Sequence, residues 1–269
     1  MRAAAALLVA ALMLLPGCTT AADEEPMVLA TTTSMRDSGL LDVLLPAFED
    51  ATGHRVDVVA VGTGAALELG RSGDADVLIV HAPDAEATFL EEGHGTSRTV
   101  FAWNTFVLLS PEPIDGDLFT VLDAVVEEER CFVSRGDASG THMREQAMWR
   151  AWAEDRNVTL TDGDDGTRPD GDWYLSIGQG MGAAITMADE KRCVTLSDAG
   201  TALFRQADTD LTRLSFEDGT MLNPYSVIPL DGPRLDAAEA LRAFLLDEGV
   251  ALIAGHTVNG EALFTPGQP

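Results

Sequence analysis

The segment Ser134-Arg135-Gly136-Asp137-Ala138-Ser139-Gly140-Thr141-His142 carries residue types that can hold an anion. It follows the short apolar run Cys131-Phe132-Val133 and precedes a helical pattern over residues 143–152, so it reads as a strand-to-helix turn. At such a turn the first backbone N–H groups have no intrahelical partner and carry the positive end of the helix dipole. Ser139 and Thr141 add hydroxyl donors. Arg135, on the strand side, supplies a planar guanidinium that can fork onto two oxygens of a phosphate-like group, each charge-assisted hydrogen bond being worth roughly 1.5–3 kcal/mol. Taken alone, the segment is equally compatible with an ordinary capped helix and a surface ion pair at Arg135.

Three further turns have a similar make-up. Met27-Val28-Leu29-Ala30 is a buried-strand pattern that runs into four hydroxyl residues, Thr31-Thr32-Thr33-Ser34, ahead of an amphipathic helix over residues 38–51. A strand over residues 55–61 meets Gly62-Thr63-Gly64-Ala65 and a short helix. That glycine pair lacks the spacing of a dinucleotide or P-loop site. Trp173-Tyr174-Leu175-Ser176-Ile177 leads into Gly178-Gln179-Gly180-Met181-Gly182-Ala183, where glycines permit close backbone approach and a helix runs on to Lys191.

The elements that must position these turns alternate. A strand over residues 76–80 is followed by the turn His81-Ala82-Pro83-Asp84 and a helix to Glu92, so strand and helix succeed one another as in a parallel α/β sheet. Ligands of such sheets gather beyond the carboxyl ends of strands, where all four turns fall. Residues 99–110 are mostly apolar and suit a crossing to a second sheet, with Pro111 and Pro113 after them. A helix over 118–129 precedes the Cys131 strand, and a long helix over 139–155 follows the anion turn. Residues 195–204 hold a strand and a short helix, Asn223-Pro224-Tyr225-Ser226-Val227-Ile228 a strand returning to the first sheet, and residues 235–246 and 250–254 two closing helices. The polar segment 157–172 contains Asp162-Gly163-Asp164-Asp165-Gly166, which lacks the distal bidentate Glu of a calcium loop and is expected to be an acidic surface loop.

The chain has 269 residues, 46% of them hydrophobic, with a formal net charge of −27. Length and apolar content suffice for one large or two modest domains. Arg2, an apolar run from Ala3 to Leu15 and Leu15-Pro16-Gly17-Cys18 form an export signal over residues 1–17, too short to span a bilayer permanently. Cys18 after the small Gly17 resembles a lipobox, with Cys18 the lipidated first residue; a plain secretory signal is the alternative. Residues 18–26 are then a tether. Removing the signal takes away one positive charge and no acidic one, which makes −28. Nucleic acid is excluded as a partner by that charge. A single lysine, Lys191, stands against sixteen arginines, and the scattered acidic residues read as a surface suited to high salt, where self-repulsion is screened. Cys131 and Cys193 are left as a pair that could bridge neighbouring strands or remain two buried thiols.

Together the blocks Thr31-Thr32-Thr33-Ser34, Gly62-Thr63-Gly64, Ser134 to His142 and Gly178 to Gly182 resemble the tungstate-binding proteins of ABC importers, the TupA type, in the same order and over essentially the whole mature chain. The resemblance implies a two-lobed, type II periplasmic-binding-protein fold, each lobe a mostly parallel sheet flanked by helices, with the ligand in the interlobe cleft. The division it suggests is residues 27–109 plus 223–269 for one lobe and 110–222 for the other. It implies an oxyanion held by Thr32, Thr33, Ser34, Gly62, Thr63, Arg135, Ser139, Gly140, Thr141, Gly180 and Met181. No cofactor and no metal cation are implied. The implied partners are tungstate, molybdate or a related tetrahedral dianion and a membrane permease, with an exported monomer anchored by lipid at the outer face of the cytoplasmic membrane.

The Arg-x-x-x-Ser-Gly-Thr block is shared with phosphate binders, so phosphate remains the alternative ligand. Asp137 is the awkward residue, because a carboxylate facing the site would favour a protonated anion; it is expected to pair with Arg135 or cap the helix. Arg36 is close enough in sequence to be a second cation at the site. An exported phosphate-ester hydrolase using His142 and Asp137 is a further alternative, although neither a His-Glu-x-x-His spacing nor a Gly-x-Ser-x-Gly elbow is present. Reporting to a sensor instead of a permease also fits the sequence.

Overall fold

The computed structural model describes residues 25–163 and 166–269. The export signal, Cys18, most of the tether and Asp164-Asp165 lie outside the described residues. The first elements are β1 (Met27–Thr32), α1 (Thr33–Asp37), α2 (Leu40–Thr52), β2 (Val56–Val61), α3 (Thr63–Ser72), β3 (Val77–Val80), α4 (Pro83–Glu91) and β4 (Thr99–Ser110). Next come α5 (Leu118–Glu127), β5 (Phe132–Ser134), α6 (Gly140–Arg156), the hairpin β6 (Thr161–Gly163) and β7 (Gly166–Arg168), β8 (Tyr174–Ser176), α7 (Met181–Lys191), β9 (Val194–Asp198), α8 (Ala199–Arg205) and β10 (Thr212–Leu214). The chain then returns through β11 (Leu222–Pro229) to α9 (Leu235–Leu246) and α10 (Glu248–Gly255).

The strands follow the order β2-β1-β3-β11-β4-β9-β5-β8. β1 pairs in parallel with β2 and β3, and β5 in parallel with β8 and β9. Between these two groups the sheet is antiparallel. β4 leaves the first group and β11 comes back to it, and two adjacent strands making opposite crossings must run antiparallel. β4 is long enough to serve both sides. Its register with β11 runs from Thr99 to Thr105, and its register with β9 takes over at Phe106 and runs to Leu109.

Alternation along the strands explains how both faces of each group are buried. In the first group Leu29, Val77 and Ile79 point to a cluster with Leu40, Leu44 and Phe48 of α2 and Leu241 and Leu245 of α9. Their neighbours Ala30, Leu78 and Val80 point to the opposite face, against Ala66 and Leu67 of α3 and Phe89 of α4. β4 does the same in the second group. Phe106 and Leu108 join Val121 and Leu122 of α5 and Trp149 of α6, while Val107 and Leu109 join Ala184 and Ile185 of α7. The result is two α/β/α lobes that share β4 and β11.

Cys131 and Cys193 are disulfide-bonded. They precede β5 and β9, whose register pairs Phe132 with Val194, so the bond staples adjacent parallel strands. The segment expected to be a plain acidic loop instead carries the β6–β7 hairpin, exposed over Thr161–Gly163. Among the described residues, no helix is long and apolar enough to cross a membrane.

Candidate functional site

A small cavity of about 10 Å³ sits where the carboxyl ends of parallel strands from both lobes converge. Thr32, Thr33 and Ser34 line it from the end of β1, Val61, Gly62 and Thr63 from the end of β2, and His81 from the end of β3. The other lobe contributes Arg135, Ser139, Gly140 and Thr141 from the β5–α6 turn. Beside it opens a wider depression of about 690 Å³, which shares His81 and Gly140 and includes Asp84, His142, Arg144 and Arg150.

On the first-lobe side the cavity is a run of hydroxyls at helix starts. Thr32 is the N-cap of α1, its hydroxyl accepting from the Met35 N–H at 3.2 Å. The Thr32 and Ser34 hydroxyls lie 3.1 Å apart. α3 begins at Thr63 after Gly62, and the Thr63 hydroxyl oxygen is buried with no hydrogen-bond partner. A buried hydroxyl left unpaired costs of order 1–3 kcal/mol, so this one is poised for a guest. His81 follows the β3 run Val77-Leu78-Ile79-Val80. Its Nε2 is 3.2 Å from Ser34 Oγ and its Nδ1 is 2.8 Å from Asn223 Oδ1. The ring stacks on Tyr225 with centroids 4.6 Å apart. Burial pushes the His81 pKa down, against the Asn223 hydrogen bond and the charges of Asp198 and Glu86 and together with that of Arg135.

On the second-lobe side the cavity is lined by one guanidinium and one helix start. Arg135 is only 8% exposed, and Nη2 and Nε donate to Asp137 Oδ2 at 2.6 and 3.2 Å. Its Nη1 lies 3.4 Å from Thr141 Oγ1. Asp137 also accepts the Ser139 N–H at 3.2 Å, so it takes the anticipated pairing role, while the cap of α6 is Ser139, whose hydroxyl accepts the His142 N–H at 3.3 Å. Burial raises the pKa of that carboxyl, yet the Ser139 and Arg135 hydrogen bonds and the Arg135 charge outweigh it and hold it below the usual range. Asp137 is not among the residues lining the cavity.

Two glycines make the turn possible. Gly136 has φ of 58°, and a Cβ there would fall 2.0 Å from Ser176 Oγ. A Cβ on Gly140 would lie 3.1 Å from Thr63 Oγ1 and 3.3 Å from His81 Cε1. Gly140 is therefore where the two lobes touch across the cavity.

Nine of the eleven anticipated residues line this one cavity; Gly180 and Met181 do not. Met181 is buried in the apolar cluster of Val107, Val133 and Ile185, and Gly180 caps the start of α7. The glycine turn acts behind the site. Gln179 N–H donates to the Arg135 carbonyl at 3.0 Å and Ile177 N–H to that of Ser134 at 3.1 Å, which fixes the backbone from which the guanidinium projects. Arg36 lies outside the lining set and pairs with Asp37 at 2.8 Å, both side chains more than half exposed. His142 likewise does not line the small cavity; its Nδ1 accepts the Ala138 N–H at 3.1 Å. His81 lines it without having been singled out from the sequence. The signal was its position, a polar residue directly after an apolar parallel strand, as Thr33 is after β1.

Comparison with known proteins gives the family to which this fold belongs. Residues 19–246 match the PBP superfamily domain. The chain is 39% identical over 253 residues to the tungstate-binding protein TupA of Peptoclostridium acidaminophilum, which spans 88% of this chain and 84% of that protein. It is 40% identical over 255 residues to a putative ABC transporter anion-binding protein of Haloferax volcanii, across 88% of this chain and 70% of that one. The solved structure of TupA, the tungstate-binding protein from Desulfovibrio alaskensis G20, matches with a TM-score of 0.76 at 33% identity, covering 91% of this chain and all of that one.

Proposed function

The chain belongs to the family of TupA tungstate-binding proteins within the PBP superfamily, and from that membership we propose that it captures tungstate, and molybdate second, for an ABC permease. The observation that carries this reading is the donor set of the small cavity. One guanidinium, the Thr63 hydroxyl without a partner and the starts of α3 and α6 line the same small cavity, and among the described residues no carboxylate lines it. Such a set suits a small tetrahedral dianion that brings only acceptors. Thr32, Thr33, Ser34, Gly62, Thr63, Arg135, Ser139, Gly140 and Thr141 are its proposed contacts, with the Gln179 and Ile177 N–H groups fixing the Arg135 backbone from behind.

The lobes in this reading are residues 27–109 plus 223–269, and 110–222. They close on the anion by bending at β4 and β11, replacing water with fixed donors. The permease then receives the closed form. Cys18 as a lipidated residue would hold a monomer at the outer face of the cytoplasmic membrane, and the acidic surface would suit a high-salt medium. Cavity size sets the discrimination against sulfate. Phosphate is disfavoured because Asp137, the carboxylate nearest in sequence, is engaged by Arg135 and Ser139. Calorimetric titration with tungstate, molybdate, phosphate and sulfate tests the assignment: tungstate binds most tightly, and a preference for phosphate overturns it.

A further inference from the structure

Beyond its donors the cavity has one ring nitrogen near it that could act as an acceptor, His81 Nε2. Its state is set from behind. Asn223 donates through Nδ2 to Asn104 Oδ1 at 2.7 Å and to the Tyr225 hydroxyl at 3.2 Å, which leaves Asn223 Oδ1 as the acceptor facing His81. With the amides in this orientation, which leaves Asn104 Nδ2 without a hydrogen-bond partner, the His81 Nδ1 carries the hydrogen that spans the 2.8 Å contact. The Nε2 lone pair is left to accept, and the Ser34 hydroxyl, 3.2 Å away, donates to it. All of these groups are buried or nearly so, and Asn104 and Asn223 sit on β4 and β11 where the chain crosses between lobes.

We propose that His81 is a specificity-determining residue: Asn223 fixes its hydrogen on Nδ1, and the Ser34 hydroxyl covers Nε2, so that the cavity withholds the acceptor a protonated oxyanion needs. Phosphate at neutral pH always carries at least one proton, and with Nε2 covered that proton finds among the lining side chains only hydroxyl oxygens, weaker acceptors than an imidazole nitrogen. Tungstate, molybdate and sulfate carry none. Ser34 serves the anion through its backbone N–H, and its hydroxyl is turned to the histidine. The lowered pKa of His81 agrees with a neutral ring. Asp198 and Glu86 face it with negative charge and Arg135 with positive charge, and a dianion held by Arg135 would offset that last charge.

The inference rests on the oxyanion-binding reading and separates from it by experiment. Ser34→Ala uncovers Nε2. Phosphate affinity should then rise about fivefold to tenfold relative to tungstate, the worth of one neutral hydrogen bond. Sulfate, equally small but unprotonated, should gain nothing. Adding His81→Phe to Ser34→Ala should abolish the gain, since Phe cannot accept. Circular dichroism and a cooperative thermal unfolding transition report that each variant is folded. A second measurement on the unaltered protein, the 15N chemical shifts of the His81 ring, should show the hydrogen on Nδ1. An unchanged phosphate-to-tungstate ratio in Ser34→Ala, a parallel rise for sulfate, or a hydrogen on Nε2 would overturn the proposal while leaving tungstate capture intact. Failure of the unaltered protein to bind tungstate at all would overturn the functional reading and this proposal with it.

Discussion

The two walls of the cavity are built on different principles. The first-lobe wall, Thr32 to Ser34 with Thr63 and His81, is uncharged, and its hydrogen bonds lead back through Asn223 to the crossing strands. The second-lobe wall is charged, and its charge is balanced locally: Arg135 rests on Asp137, which also holds the Ser139 N–H. In a chain with a net charge of −27 this division has a physical reason. A bare guanidinium in a recess would recruit any nearby carboxylate, whereas one already held by Asp137 keeps its direction and still has N–H groups to offer. The neutral wall supplies shape and donor geometry; the charged wall supplies the attraction.

That contrast can be broken by substitution, and the largest effect should come from the charged wall. Arg135→Ala removes charge-assisted hydrogen bonds worth roughly 1.5–3 kcal/mol each, so tungstate affinity measured by calorimetry should fall by more than about 100-fold. A fall no greater than that of a single hydroxyl deletion would mean the charge does not dominate. Gly140→Ala tests the point where the walls meet. Its Cβ would sit 3.1 Å from Thr63 Oγ1, and overpacking of roughly 1–3 kcal/mol should weaken tungstate binding about tenfold by holding the lobes apart.

On the neutral wall, Thr63→Val keeps the shape and removes one donor. Binding should weaken roughly fivefold, while the thermal stability of the ligand-free protein is unchanged or rises, because the buried hydroxyl has no partner to lose. A clear loss of ligand-free stability would show that the hydroxyl is not reserved for a guest. The smallest effect should be a gain. Asp137→Asn removes a negative charge near the site, and tungstate affinity should rise roughly threefold at low salt and less at high salt. A marked loss instead would show that an amide oxygen cannot hold Arg135 in the direction the Asp137 carboxylate gives it, which would sharpen the account of the charged wall.

Much of this arrangement was legible in residue types. Apolar runs ending in Thr32, Val61 and Ser134, each followed by hydroxyls or glycine, mark strand-to-helix turns because few other sequences satisfy a helix start. They marked the candidate mouths, and the resemblance to the tungstate-binding family named the eleven residues of which the fold brings nine to one cavity. What the sequence did not reveal depends on contacts between distant segments. The turn over Gly178 to Gly182 has the same local chemistry as the others, and only the pairing of β8 with β5 decides that its N–H groups meet the Arg135 carbonyl and leave the cavity to others. His81 and Asn223 are 142 positions apart, and neither has a local pattern that predicts their contact. The antiparallel centre of the sheet was hidden for a similar reason, since strand direction at a crossing follows from the path of the whole chain. The β6–β7 hairpin, composed of polar residues, gives no period-2 signal.

The central claim is that elements of both lobes hold one dianion between a neutral wall and a charged one. The most direct measurement is the anomalous scattering of tungsten in crystals of the protein grown with tungstate. The account predicts one peak inside the small cavity, its oxygens within hydrogen-bond distance of both the Arg135 guanidinium and the Thr63 hydroxyl. A peak outside the cavity, or one inside it with Arg135 directed elsewhere, would contradict it.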